Sequence, residues 1–189
     1  MILQQIIYNT SAGIRTFICI LLGLYIYASH TDARASSGVE LAGDVLLYLL
    51  PTTGAALTLG HKDLDGAIQL SGSVAATVAI TYTLKHAINA KRPNGEGKSF
   101  PSGHTSISFS SAEFMRKRYG WQYGVPAYAL ASFVAFSRVD SRNHHARDVI
   151  AGAGFGILSS FLITRPYKNW QVQAENSGSY YGLNVSRLW

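Results

Sequence analysis

The chain has 189 residues and a net charge of +6, and it is 48% hydrophobic with only 14% charged residues. A typical soluble domain is about one-quarter charged, so the composition points to a membrane, and the length allows one domain with a sizeable core. The positive balance suits nucleic acid, anionic lipid or a phosphorylated substrate, but no zinc-finger spacing or RNP-like aromatic motif supports nucleic acid.

The first apolar segment follows Arg15 and reads TFICILLGLYIYA, with DARASS behind it. The Ala-x-Ala end at Ala33 and Ala35 fits a secretory signal. It equally fits a first membrane helix over residues 14–29, and we favour the uncleaved helix. Either way, the residues after Ala35 start on the far side of an inner membrane. Cys19 lies in this segment; a lone cysteine forms no internal disulfide and reads as a small apolar filler. The chain divides into an N-terminal segment at 1–35, a helical core at 36–169 and a tail at 170–189.

Five more apolar stretches follow: residues 41–59 with Pro51 as an expected kink, 67–84, a short and partly polar 106–115, 123–136 with Pro126 near its start, and 148–163 with a glycine-rich first half. Strand-like alternation is weak, and the lengths favour helices. Small residues crowd these stretches, which suits close helix packing in a bilayer. Most fall short of the roughly 20 residues of an ideal span, which keeps a soluble helical bundle open. Loop charge favours the membrane. With alternating helices, Lys62, then Arg116, Lys117 and Arg118, then Arg165 and Lys168 share one side, as positive-inside flanks do. The predicted fold class is all-α: an integral membrane bundle of about six transmembrane helices, or five after cleavage.

The tail alternates Tyr181, Leu183, Val185, Arg187 and Trp189, like the terminal strand of an outer-membrane barrel. One strand closes no barrel, so the tail is expected to be disordered or to lie on the membrane surface.

Three polar blocks fall on the side opposite the positive flanks: KHAINAKRP at 85–93, PSGH at 101–104, and SRVDSRNHHARD at 137–148. Phosphoryl transfer needs charge neutralisation on three equatorial oxygens and an in-line nucleophile. Lys85, Arg92 and Arg138 supply three cationic donors, the arginines suited to bidentate contact and the lysine acting as a point charge. Pro101-Ser102-Gly103 leads into a helix whose free N–H groups can face an anion. Gly103 allows close backbone approach, and the Ser102 hydroxyl adds a donor. Asp148 stands four residues after His144, on the same helical face. Taken singly, Arg138 and Asp148 read as a structural ion pair and His104 as a helix cap; jointly, the constellation argues for chemistry.

Eleven positions in order carry a family likeness: Lys85, Arg92, Pro93, Pro101, Ser102, Gly103, His104, Ser137, Arg138, His144 and Asp148. In these the chain resembles the type 2 phosphatidic acid phosphatase (PAP2) superfamily, with no departure from its pattern. The resemblance implies that His144, not His145, is the nucleophile and forms a phosphohistidine. It implies that Asp148 holds the other ring nitrogen, and that His104 protonates the leaving oxygen and then activates water. It further implies that Lys85, Arg92, Ser102, Gly103 and Arg138 bind the phosphate.

His145 reads as a neighbour and His86 as a packing residue. Lys91, Lys98, Arg142 and Arg147 read as a solvated basic rim, Asp140 and Glu96 as loop residues, and His30 and His61 as exposed loop histidines. No cofactor is implied, and no metal: the acidic residues are too scattered for a Mg²⁺ cluster and the histidines lack zinc spacing. A haloperoxidase would need vanadate in the same pocket, an unsuitable reading for a short membrane chain.

A site at the outer helix ends favours a lipid head group as substrate, with the active site facing the periplasm. Overall length and the FMRKRYG segment look most like small bacterial lipid A 1-phosphatases, so lipid A 1-phosphate ranks first and undecaprenyl pyrophosphate second. Phosphatidylglycerol phosphate and phosphatidic acid are further candidates. A soluble periplasmic acid phosphatase and a lipid phosphotransferase would share the same motifs. A non-enzymatic packing protein would not need all eleven positions. Oligomeric state is not readable.

Overall fold

The computed structural model describes residues 35–167, 170–176 and 181–187. Within them lie five helices: α1 (Ala35–Gly60), α2 (Leu64–Ile88), α3 (Gly103–Tyr119), α4 (Trp121–Asp140) and α5 (Ala146–Ile163). Each covers one expected apolar stretch. The expected first helix at 14–29, Cys19 and His30 lie outside the described residues, as do Lys168 and Trp189.

The helices run past the apolar stretches because their polar ends are helix-compatible. Asp63 caps α2, accepting a 2.9 Å bond from the Gly66 amide. Lys85 and His86 occupy the last turn of α2, where cations suit the helix dipole. The chain leaves through Asn89 in the left-handed region (φ 43°). At α3, Ser102 caps the start, and Arg116, Lys117 and Arg118 fill the last turn.

Helix α3 is the centre of the bundle and packs against α1, α2, α4 and α5. Large exposed apolar side chains such as Tyr48, Ile68, Val125 and Leu162 come instead from α1, α2, α4 and α5. Among the described residues three helices are long and apolar enough to cross a membrane: Gly38–Gly60, Leu64–Ile88 and Ala146–Ile163. The short, partly polar third stretch is thus the enclosed helix rather than a lipid-facing one. It divides along its length. Ala112, Phe114 and Met115 in its second half join Leu46, Leu50, Leu70, Leu130 and Val134 in an apolar core. Thr105, Ser106, Ser108, Ser110 and Ser111 make its first half polar and buried all round, and Ser106 Oγ lies 3.0 Å from Thr81 Oγ1 of α2.

The glycines of α5 set how near α3 can come. A Cβ on Gly156 would lie 2.1 Å from the Ser106 carbonyl oxygen, and one on Gly152 2.6 Å from that of Ser102. The two stand four apart on one helix face, a small-residue seam of the kind that lets membrane helices meet backbone to backbone.

At the end of the bundle that carries the positive flanks, Arg118 grips Asp63 with Nε at 2.8 Å and Nη2 at 2.5 Å. It also donates to the Arg165 and Pro166 carbonyls. This ties α3 to the α1–α2 turn and to the exit of α5. Burial works to raise the Asp63 pKa, but the bonds from Arg118, Gly66 and Tyr119 outweigh it and hold the group below its ordinary value. His61, expected as an exposed loop residue, is exposed yet stacks on Tyr119 at 5.0 Å.

Of the two expectations for the tail, disorder or a place on the membrane surface, disorder does not describe residues 170–176 and 181–187. Trp170–Asn176 (β1) and Tyr181–Arg187 (β2) pair antiparallel, with Val172 opposite Val185. The alternation seen at 181–187 therefore finds its partner in the segment just before it.

Candidate active site

The helices alternate in direction, so the C-terminal ends of α2 and α4 meet the N-terminal ends of α1, α3 and α5. Lys85 comes from α2, Ser102 to His104 from the start of α3, Arg138 from the end of α4, and His144 and Asp148 from the approach to α5.

A cavity of about 250 Å³ opens there, lined by Glu40, Asp44, Arg92, His104, Arg138, Asn143 and His144. It unites both motif histidines with two of the three motif cations. Lys85 stands just outside this lining, its Nζ donating 2.8 Å to the Lys98 carbonyl.

His144 is 4% exposed, its amide bonded to the Arg138 carbonyl at 3.0 Å. Burial first, and then the charges of Lys85 and Arg92, push its pKa down to about 4, against the opposing pull of Asp148 and the Ser99 carbonyl. The imidazole is therefore neutral over the ordinary pH range.

Asp148 is fully buried. Its Oδ2 lies 3.8 Å from His144 Nδ1, longer than a hydrogen bond. That oxygen instead accepts from Ser99 Oγ at 2.5 Å and from the His145 amide at 3.0 Å. Asp148 thus holds the turn entering α5, while the Asp148 carbonyl accepts the Ser102 amide at 3.0 Å. The second and third motifs are stitched together by backbone.

Ser102 is the α3 cap. Its Oγ accepts from Thr105 Oγ1 at 3.0 Å, which leaves its own O–H to donate. The helix-cap reading of His104 gives way: His104 lies one residue inside the helix, with Nε2 3.2 Å from Asp44 Oδ1. Burial, then the Arg138 charge, lower its pKa, opposed by Asp44. A Cβ on Gly103 would meet only ordinary contacts, Thr81 Cγ2 at 3.7 Å and Lys85 Cε at 3.8 Å.

The structural-pair reading of Arg138 with Asp148 is also replaced. Arg138 is 3% exposed and its Nη1 meets Asp44 Oδ1 at 2.8 Å. Arg92 pairs with Glu96 at 2.7 Å, which gives that loop carboxylate a partner inside the motif, and its Nε is buried without a hydrogen-bond partner. His145 turns away to the Lys91 carbonyl, Nε2 at 3.2 Å. His86 Nε2 lies 2.9 Å from Lys98 Nζ. Among the described residues no group of three or more His, Cys, Asp or Glu converges as a metal site would require.

Sequence reasoning missed Asp44, Glu40, Asn143 and Ser99. Asp44 and Glu40 sit in an apolar helix outside every motif, and only their being charged in a membrane segment marked them. Asn143 Nδ2 reaches Glu40 Oε1 at 2.5 Å.

Comparison with known proteins identifies the family. Residues 94–171 match the model of the PAP2 superfamily. The chain is 30% identical over 192 residues to the lipid A 4'-phosphatase of Helicobacter pylori strain J99, covering 92% of this chain and 96% of that one. A lipid A 1-phosphatase of the same strain is 28% identical, with 78% of this chain and 83% of that one aligned. Among solved structures, Aquifex aeolicus LpxE superposes with a TM-score of 0.61 at 18% identity, covering 75% of this chain and 92% of that one. A transmembrane PAP2-type phosphatidylglycerolphosphate phosphatase from Bacillus subtilis gives a TM-score of 0.54 at 24% identity, over 78% and 93%. The matched pattern, the shared fold and the near-full-length relative place this chain in the PAP2 superfamily, as a phosphatase with membrane-type helices.

Proposed function

We propose that this protein is a multi-pass inner-membrane enzyme that removes phosphate from a lipid head group at the periplasmic face, with lipid A as the favoured substrate. The observation that carries the reading is the convergence of His104, His144, Arg92 and Arg138 on one cavity at the ends of apolar helices.

In the first step the neutral His144 attacks phosphorus through Nε2, since Nδ1 is the nitrogen nearer Asp148. The P–O bond to the lipid breaks, and His104 gives its proton to the leaving oxygen. Lys85, Arg92, Ser102, the amide end of α3 at Gly103, and Arg138 carry the charge of the phosphoryl oxygens. In the second step His104 takes a proton from water, which attacks the phosphohistidine. Inorganic phosphate leaves and His144 is restored. Asp148 would tighten onto His144 Nδ1 from 3.8 Å as positive charge develops on the ring, the orienting role a triad carboxylate plays.

The position of the phosphate on lipid A has two readings. Chain length and the FMRKRYG segment favour the 1-phosphate. A second reading, the 4'-phosphate, is supported by the relative aligned over nearly its full length.

The test is phosphate release by detergent-purified protein from lipid A, undecaprenyl pyrophosphate, phosphatidylglycerol phosphate, phosphatidic acid and p-nitrophenyl phosphate. Mass spectrometry of the lipid A product identifies which phosphate was lost. Preference for lipid A is expected. Preference for undecaprenyl pyrophosphate would replace the first substrate with the second, and equal turnover of the small ester would favour a non-specific acid phosphatase. Transfer of the phosphate to an added lipid acceptor, with none released to water, would make the enzyme a phosphotransferase.

A further inference from the structure

We infer that Asp44 of α1 is a positioning residue that orients His104 and Arg138 together and keeps His104 competent to give up a proton. The inference rests on the phosphatase reading of the site and adds to it a residue outside the three motifs.

One carboxylate oxygen does both jobs: Asp44 Oδ1 lies 2.8 Å from Arg138 Nη1 and 3.2 Å from His104 Nε2. The remaining edges of the guanidinium are also fixed, Nη2 on the Glu40 carbonyl at 2.7 Å and Nε on Ser137 Oγ at 3.1 Å. Helix α1 therefore sets the pose of the motif arginine and, through the same oxygen, of the motif histidine.

A second observation shows that the fold is shaped to deliver this carboxylate. A Cβ on Gly43 would fall 2.0 Å from Ser137 Oγ and 2.7 Å from Arg138 Nη2. A larger residue would displace Ser137, whose Cβ is itself 2.9 Å away, or the Arg138 guanidinium, so the glycine beside Asp44 leaves room for the contact.

The charges around His104 explain why an anion is needed. The cations are Lys85 from α2, Arg138 from α4 and Arg92 from the 89–102 loop, with the neutral His144 beside them on the turn before α5. Against these stand Asp148 at the start of α5 and Glu40 and Asp44 on α1, and it is Asp44 whose Oδ1 meets the ring, at 3.2 Å. Its charge favours the imidazolium that surrounding cations and burial disfavour. With one ring nitrogen held by Asp44, the other is left for the leaving oxygen. When the P–O bond breaks, the proton passes from His104 to that oxygen, and Asp44 keeps its hold on the other ring nitrogen.

The experiment is the titration of His104 in micelles by histidine-labelled NMR, paired with kinetics, in the wild type, Asp44→Asn, Asp44→Glu and Gly43→Ala. The assignment comes from His104→Gln. In Asp44→Asn the His104 midpoint is expected to move to lower pH. Its kcat should fall roughly 10- to 100-fold, part of the 10²–10⁴ that general acid–base catalysis supplies, with KM little changed. The His104-dependent limb of the kcat profile should move acidward with the midpoint. Asp44→Glu should restore the limb. Gly43→Ala should reproduce the lower midpoint by disturbing the Asp44 contact, and it serves if Asp44→Asn does not fold. An unmoved midpoint in Asp44→Asn, or in Gly43→Ala where the former is unfolded, overturns the inference, as does an effect on KM alone. If the wild type released no phosphate from any lipid, the functional reading would fail, while the NMR midpoints would still decide the role of Asp44.

Discussion

His144 is enclosed and neutral, while its neighbour His145 spends its ring on the Lys91 carbonyl and its amide on Asp148. The two should respond differently to truncation. His144→Ala is expected to remove turnover by several orders of magnitude, the scale of losing a covalent nucleophile, while His145→Ala keeps most of it. A comparable loss in both would reverse the choice of nucleophile. The pH dependence follows from the same burial. Attack needs the neutral imidazole, and the pKa of about 4 means that protonation removes the nucleophile only as pH falls through that value. After the substrate's own ionisation near pH 6 is divided out, the acid limb of kcat/KM should lie well below the 6.5 of an ordinary histidine. A limb near 6.5 would place the nucleophile in a wetter site. These residues were legible in the sequence because the chemistry fixes both type and spacing. Asp44 and Ser99 were not, because their contacts depend on where α1 and the loop before Ser102 settle in space.

At the scale of the element, apolar stretches located every described helix, but not their ends or their neighbours. Lys85 and Arg118 end helices as polar residues, so counting apolar residues stops short of them. The burial of α3 was visible only as partial polarity, since serines that face another helix and serines that face water read alike. Its firmest tether is the Asp63–Arg118 pair, with side chains only 4% and 7% exposed. Removing one partner of a buried pair leaves an uncompensated charge and costs about 3–5 kcal/mol. Arg118→Ala should therefore lower the thermal midpoint in detergent markedly, and Asp63→Asn combined with Arg118→Met should cost less than Arg118→Ala alone. An additive double variant would show that the two do not act as a pair. Because the Asp63 pKa is lowered on folding, its contribution is present above the ordinary carboxylate value near 4 and is lost as pH falls through the folded value.

For the whole molecule, the difference between the two ends of the bundle is the organising feature. One end carries the candidate site; the other carries Lys62, Arg116, Lys117, Arg118 and Arg165. If the second end is cytoplasmic, single cysteines in a Cys19→Ser background should label accordingly. Lys91→Cys is expected to react with a membrane-impermeant maleimide added to spheroplasts, and Lys62→Cys only after permeabilisation. The opposite pattern would invert the topology and place the site in the cytoplasm. The tail lay furthest from sequence reading, because a strand is recognised by its partner: β1 alternates Trp170, Val172 and Ala174 with Gln171, Gln173 and Glu175 as regularly as β2 does, and only the pairing of the two segments gives either alternation its meaning.

The glycine seam between α3 and α5 has a consequence for how this protein tolerates change. A methyl group at Gly156 would press on the Ser106 carbonyl, and one at Gly152 on that of Ser102; both are backbone atoms with no rotamer to yield. Ser102 and Asp148 are joined through the same helix pair, so the obstruction would spread the halves of the site apart. In a saturation mutagenesis scored by activity, positions 152 and 156 should be as intolerant as the histidines. Their intolerance would extend to alanine, and it would record a distance between helices rather than a reaction.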